Sequence, residues 1–131
     1  MMNVQKLVNT WLTMRITYGL LFVVAGADKF INLVTVWAKY LSPLVTAQLP
    51  IDAGQIMMAV AGIEIVIGLL ILFCCPRLGG YLAMIWLLII SANLLSMGMY
   101  NDIAVRDIVM AVGALTLARL TSLKNEAIKS V

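Results

Sequence analysis

Six ionisable side chains stand where lipid would not tolerate them: Arg15, Asp28, Lys29, Glu64, Arg106 and Asp107, each within or at the end of a long apolar run. A charge at mid-membrane costs about 2.5 to 3.5 kcal/mol even on lenient insertion scales, so such residues face a protein interior, pair with one another and mark function. Three of the six are basic and three acidic, and they cancel; the net +3 comes from the other charged residues. That balance predicts internal pairing. Glu64 is the costliest, because it falls roughly 13 Å along its helix, near the centre of a bilayer. It must be protonated or be held ionised by an arginine or lysine. Glu64 and Asp107 are groups that can take and give a proton. Arg15, Lys29, Arg106 and the amide of Asn93 are donors that can hold a ligand, and Ser91 adds a hydroxyl beside Asn93. The same residues also fit a second reading, an ion-pair network that only fixes helix register.

The elements that must position these groups are helices. A crossing takes about 20 mostly apolar residues, and four runs of that size are bounded by charge, proline or glycine, at about 11–32, 55–75, 78–99 and 103–120. Pro76-Arg77 separates the second from the third, and Asn101-Asp102 the third from the fourth. Connections that short predict antiparallel neighbours, so the expected fold is an all-α integral membrane protein, an antiparallel four-helix transmembrane bundle in one domain. Arg15, Gly19, Phe22, Gly26 and Lys29 recur at helical spacing, as do Ala61, Glu64 and Gly68, and then Asp107, Ala111, Ala114 and Ala118. Small residues let membrane helices approach closely, so these stripes are expected to face the bundle centre and carry the charges with them. Asp28, Lys29, Arg106 and Asp107 fall within about two turns of the outer helix ends, whereas Arg15 lies toward the inner end.

The segment 33–54 is the long connection. Val34, Trp37, Ala38 and Leu41 have helical spacing, which predicts a short interfacial helix, with an ordinary wet loop as the alternative. Four spans place both termini on one side, together with Lys6, Arg77, Arg119, Lys124 and Lys129, and the positive-inside rule makes that side cytoplasmic. A competing reading of the start is a secretory signal, with Lys6 and Arg15 before Ile16 to Val24 and a small-residue site at Ala25-Gly26-Ala27. Against it, the apolar stretch continues through Phe30-Ile31.

Composition excludes several classes. With 63% hydrophobic and 11% charged residues in 131, a water-soluble domain would be left with large exposed apolar patches. A disordered chain would need low hydrophobicity and high charge, and a nucleic-acid binder a basic stripe. Histidine is absent, which removes His-ligated haem, His-bound zinc and the commonest general base. Cys74-Cys75 is not a Cys-x-x-Cys pair, and adjacent cysteines make a strained disulfide, so both are read as packing residues. The nine methionines read as gap-fillers, including Met57, Met58, Met97 and Met99 near the outer ends. Convergent oxygens enough for a hard cation are not evident, and no metal site is expected. Trp11, Tyr81, Trp37, Tyr40 and Tyr100 sit where aromatic belts form. The tail from Thr121 to Val131 reads as a solvated basic end.

Arg15 with Gly19, Leu21-Phe22, Ala25-Gly26 and Lys29-Phe30, then Glu64 with Gly68-Leu69-Leu70, Arg77, and finally Arg106-Asp107 resemble the DoxX family of small four-span membrane proteins, over nearly the whole chain. Some members of that family carry a histidine near the end of the third span, where this chain has Ser96. The resemblance implies a multi-pass protein of the bacterial inner membrane that works near quinones. The family takes its name from a subunit associated with a terminal quinol oxidase and thiosulfate:quinone oxidoreduction. No haem ligand set, flavin fingerprint or usable dithiol is present in the sequence, so an electron must be carried by a bound quinone or by a partner. The site implied is a quinone-like or lipid headgroup held by Lys29, Arg106 and Asn93, with Glu64 or Asp107 handling a proton. A protein partner or homo-oligomer is expected, and no nucleic acid. Two other readings are a non-enzymatic membrane assembly protein and a small-solute or lipid transporter, for which four spans are few unless the chain dimerises.

Overall fold

The computed structural model describes residues 3–130, and it is helical throughout with no strand among them. Helix α1 spans Val4–Ile31; a 3₁₀ turn follows at Trp37–Tyr40, then a short α2 at Pro43–Gln48 and α3 at Ala53–Leu69. A π-helical segment, Leu70–Cys74, continues α3, and α4 (Pro76–Met97) and α5 (Asn101–Lys129) complete the chain. The helix ends follow local chemistry. Asn3 caps α1 by accepting from the backbone N–H groups of Gln5 and Lys6, and Asn32 ends it in the left-handed region at φ 52°. Pro76 opens α4 at its first turn, where a missing N–H costs nothing, and Gly98 ends it at φ 68°.

Three helical stretches, Val4–Ile31, Ala53–Cys74 and Pro76–Met97, are long and apolar enough to cross a membrane, which marks a membrane protein. In α5 the apolar sequence is interrupted by Asp102, Arg106, Asp107 and Arg119. Large apolar side chains lie on the outside: Val24, Ile31, Val66, Phe73, Val109 and Val112 are all more than half exposed. In water such a surface would aggregate, whereas lipid solvates it.

Packing is pairwise. The fullest contacts are α1 against α3 and α4 against α5, with α1 also meeting α5. The stripes of small residues are the contact lines, as expected. Gly26 lies against the backbone of Ala61, Gly68 against that of Gly19, and Gly80 against Ala114 and Ala118. Phe22, Ile71, Leu87 and Leu117 fill the core between them. In contrast α3 and α4, though consecutive, touch little, and the space between them and α1 opens as a cleft.

Two boundaries differ from expectation. The helix that carries the fourth apolar run does not stop near residue 120: α5 runs on to Lys129. Thr121 is buried, and its hydroxyl accepts the indole N–H of Trp11 at 3.0 Å. The tail expected to be solvated is therefore helical, and of its residues only Thr121 is buried, with most of those beyond Lys124 exposed; Val131 lies outside the described residues. Trp11, expected in an aromatic belt, is a buried core side chain instead. In the connection, the single interfacial helix is replaced by a 3₁₀ turn and a separate α2, because Ser42 and Pro43 start a new helix there: the Ser42 hydroxyl accepts from the Leu44 N–H at 3.2 Å.

The glycine contacts carry a stability test. A Cβ at position 68 would sit 2.8 Å from the Gly19 carbonyl oxygen, whereas one at position 62 meets nothing within 4 Å. Gly68→Ala is expected to destabilise by about 1–3 kcal/mol through overpacking, whereas Gly62→Ala, which has room for its Cβ and gains helix propensity, is expected to be neutral or to stabilise by up to about 1 kcal/mol. Chemical unfolding in detergent micelles, followed by helical circular dichroism, measures both.

Candidate functional site

The centre of the site is an ion pair. Lys29, near the end of α1, projects from the same face as Gly26, and that close approach to α3 brings its ammonium to Glu64. Lys29 Nζ lies 2.7 Å from Glu64 Oε2, and the two side chains are only 7% and 5% exposed. Trp86 of α4 directs its indole N–H at the other carboxylate oxygen, Oε1, at 3.4 Å. The ring of Trp37 covers the ammonium, with Nζ 3.9 Å from its centroid. One carboxylate and one ammonium thus draw in α1, the connection, α3 and α4.

Asp28, the next residue along α1, serves the connection. Its carboxylate accepts the Trp37 indole N–H at 2.6 Å and the backbone N–H groups of Leu33 and Val34 at 3.2 Å each. These bonds fold the connection back so that Trp37 reaches Lys29. From the opposite side Asn93 fixes the same connection: its carbonyl accepts the Ser42 N–H at 2.9 Å and its amide donates to the Tyr40 carbonyl at 2.6 Å. Tyr40 stacks edge-on against Tyr100, 4.7 Å between centroids. Asp107 is buried, and Arg106 beside it reaches its Oδ1 at 3.2 Å while remaining largely exposed.

Several of these groups line one cleft of about 810 Å³. Lys29, Glu64, Asn93, Arg106 and Asp107 all border it, with Phe22, Ile56, Val60, Leu87 and Leu94 among its apolar walls. Its polar groups can donate to an acceptor and exchange a proton, while its walls suit an apolar body. Among the described residues every buried side-chain nitrogen and oxygen has a hydrogen-bond partner, and no group of three metal-ligating side chains gathers.

Comparison with family models, with curated proteins and with solved structures finds no match. The cleft must therefore be understood from its own chemistry.

Of the residues singled out in the sequence, five come together and one does not. Arg15 stands at the other end of the molecule, where its Nε donates to the Ile71 carbonyl at 2.7 Å and its guanidinium lies 5.1 Å from the Trp11 ring. The π-helical segment shifts the backbone pairing there, and Arg15 answers the carbonyl this exposes. The six charges accordingly do not meet in one cluster. Asn93 borders the cleft, and its amide also holds the connection, donating to the Tyr40 carbonyl. Trp37 and Trp86 are the residues sequence reading missed. Nothing in their spacing separates them from interfacial belt or core aromatics. Cys74 is exposed rather than packed, with its sulfur 2.9 Å from that of Cys75.

A mutant cycle tests the pair. Glu64→Met strands a buried ammonium and Lys29→Met a buried carboxylate, and breaking such a pair costs about 3–5 kcal/mol. Replacing both Lys29 and Glu64 by Met is expected to recover most of that loss, since an apolar pair of similar volume is often neutral. Unfolding midpoints of the two single variants and the double variant give the coupling; additive effects would show that the two side chains do not interact.

Proposed function

We propose that this chain is a four-span helical protein of the bacterial inner membrane, similar to the DoxX family, with both termini in the cytoplasm. On this reading it binds a quinone-like headgroup in the cleft, either as the quinone-binding subunit of an oxidoreductase system or as the scaffold for the subunit that transfers electrons. The observation that carries the reading is the Lys29–Glu64 pair, which borders an apolar cleft and is flanked by Trp37 and Trp86. A ring with carbonyl oxygens can take hydrogen bonds from Lys29 and Arg106 and stack against the aromatic side chains. Glu64 and Asp107 are the groups placed to exchange a proton with it. Electrons come from the partner. A shallower apolar groove between α3 and α4, lined by Ala59, Gly62, Val66, Leu82 and Ile85, shares Trp86 with the cleft and offers a long tail a path to the lipid.

A second reading is favoured by one specific observation. Every buried side-chain nitrogen and oxygen among the described residues is already satisfied, as a charge cluster that serves only to hold helices in register would require. The chain would then be an assembly protein without chemistry.

Titration with a short-chain benzoquinone separates the two, because quinones quench nearby indoles. Saturable quenching is expected, with Trp86→Phe removing a substantial part of it and Arg106→Gln weakening binding about tenfold, the loss of roughly one good hydrogen bond from a charged group. Quenching that is linear in quinone, and unchanged in both variants, leaves only the assembly reading.

A further inference from the structure

Each cation that borders the cleft faces a carboxylate, whereas two cations at the other end of the molecule face none. Near the cleft Lys29 has Glu64, Arg106 has Asp107, and Asp28 has an indole and two backbone N–H groups. Arg15 has no carboxylate within ion-pair distance among the described residues; it has one carbonyl and the ring of Trp11. Lys124 of α5 lies over the same ring, its Nζ 3.8 Å from the centroid, and likewise has no carboxylate. One half-buried guanidinium and one ammonium therefore lie against the same indole, and neither has a carboxylate partner among the described residues. Trp11 is itself held still, since its N–H is bonded to Thr121.

We infer that Arg15, Lys124 and Trp11 form a site for the phosphate of an anionic phospholipid. The chemistry of the donors fits. Nε of Arg15 is occupied by Ile71, which orients the guanidinium and leaves its terminal N–H groups, the edge that grips phosphate bidentately. Depth fits as well. Measured from the Ile31 end of α1, Arg15 lies about 24 Å and Trp11 about 30 Å along the helix, and Lys124 lies about 35 Å from the start of α5. With a hydrocarbon core about 30 Å thick, the indole sits at the boundary, Arg15 just beneath it and Lys124 in the headgroup layer. That is where a lipid phosphate resides. Lys6, Arg77, Arg119 and Lys129 stand at the same end with Glu126 as the acidic residue among them, so the surrounding field also favours a negative headgroup. The site is separate from the cleft and does not depend on what the cleft binds.

The test uses the full chain, purified in mild detergent, stripped of lipid and supplied with defined lipids. Native mass spectrometry is expected to show phosphatidylglycerol retained at a discrete stoichiometry and phosphatidylcholine lost, with only the former raising the thermal midpoint. Lys124→Gln is expected to weaken phosphatidylglycerol binding about fivefold, the effect of one cation near a charged surface, while Lys39→Gln, at the opposite end, leaves it unchanged. Arg15→Gln should weaken it further; should that variant fail to fold, Lys124→Gln carries the test alone. Equal retention of both lipids, or Lys124→Gln behaving as Lys39→Gln does, overturns the site. Equal stabilisation by glycerol phosphate without acyl chains assigns the cations to a soluble phosphate and overturns the lipid.

Discussion

In a medium that solvates charge poorly, a buried ionised side chain must be answered by another polar group, and the Lys29–Glu64 pair meets that demand between α1 and α3. Because the ammonium belongs to α1 and the carboxylate to α3, the pair fixes the rotation of one helix about its axis relative to the other. Trp86 then ties α4 to the remaining carboxylate oxygen, and Trp37 brings the connection over the ammonium. Removing the charges would free the register of several elements at once. This is why a group so costly to bury can still be part of a well-defined fold.

Where the helices approach and where they part is set by side-chain size. Glycine and alanine at Gly26, Ala61 and Gly68 let α1 and α3 meet backbone to backbone, and Gly80 with Ala114 and Ala118 does the same for α4 and α5. The two pairs are thus narrow, and the volume left over collects between α3 and α4, where bulkier residues such as Ile63, Leu82 and Trp86 face each other across a groove. The cleft follows from tight packing elsewhere.

Much of this was legible in the sequence, and what was not shares a physical cause. Helical spacing predicts that Glu64 and Lys29 lie on stripes with small residues, and small residues turn inward in membranes, so their burial could be derived from periodicity. The roles of Trp37, Asn93 and Arg15 could not. Each depends on the path of a segment without period: the connection after Ile31 for the first two, the π-helical turn at Leu70–Cys74 for the third. An aromatic residue near a helix end satisfies the belt rule whether its indole faces lipid or folds back onto a carboxylate. The length of α5 was missed for a related reason. Hydropathy falls where Thr121 and Lys124 begin, yet a hydroxyl bonded to a buried indole and an ammonium lying on its face both remain within the packed structure.

The two ends of the molecule solve the charge problem in opposite ways, and the difference bears on what each can hold. Around the cleft Lys29 and Arg106 are matched by Glu64 and Asp107, so a charged headgroup entering there would leave one ion unanswered in a poorly solvating medium. A neutral group that accepts hydrogen bonds disturbs nothing, which is the electrostatic reason the proposed ligand is quinone-like. At the other end Arg15 and Lys124 have only a quadrupole and a carbonyl to face, and neither cancels a full charge. An anion placed there completes what the chain leaves incomplete. The two proposed ligands, one neutral and one negative, are therefore compatible in a chain this short, because the helices separate cations that face carboxylates from cations that face a ring and a carbonyl.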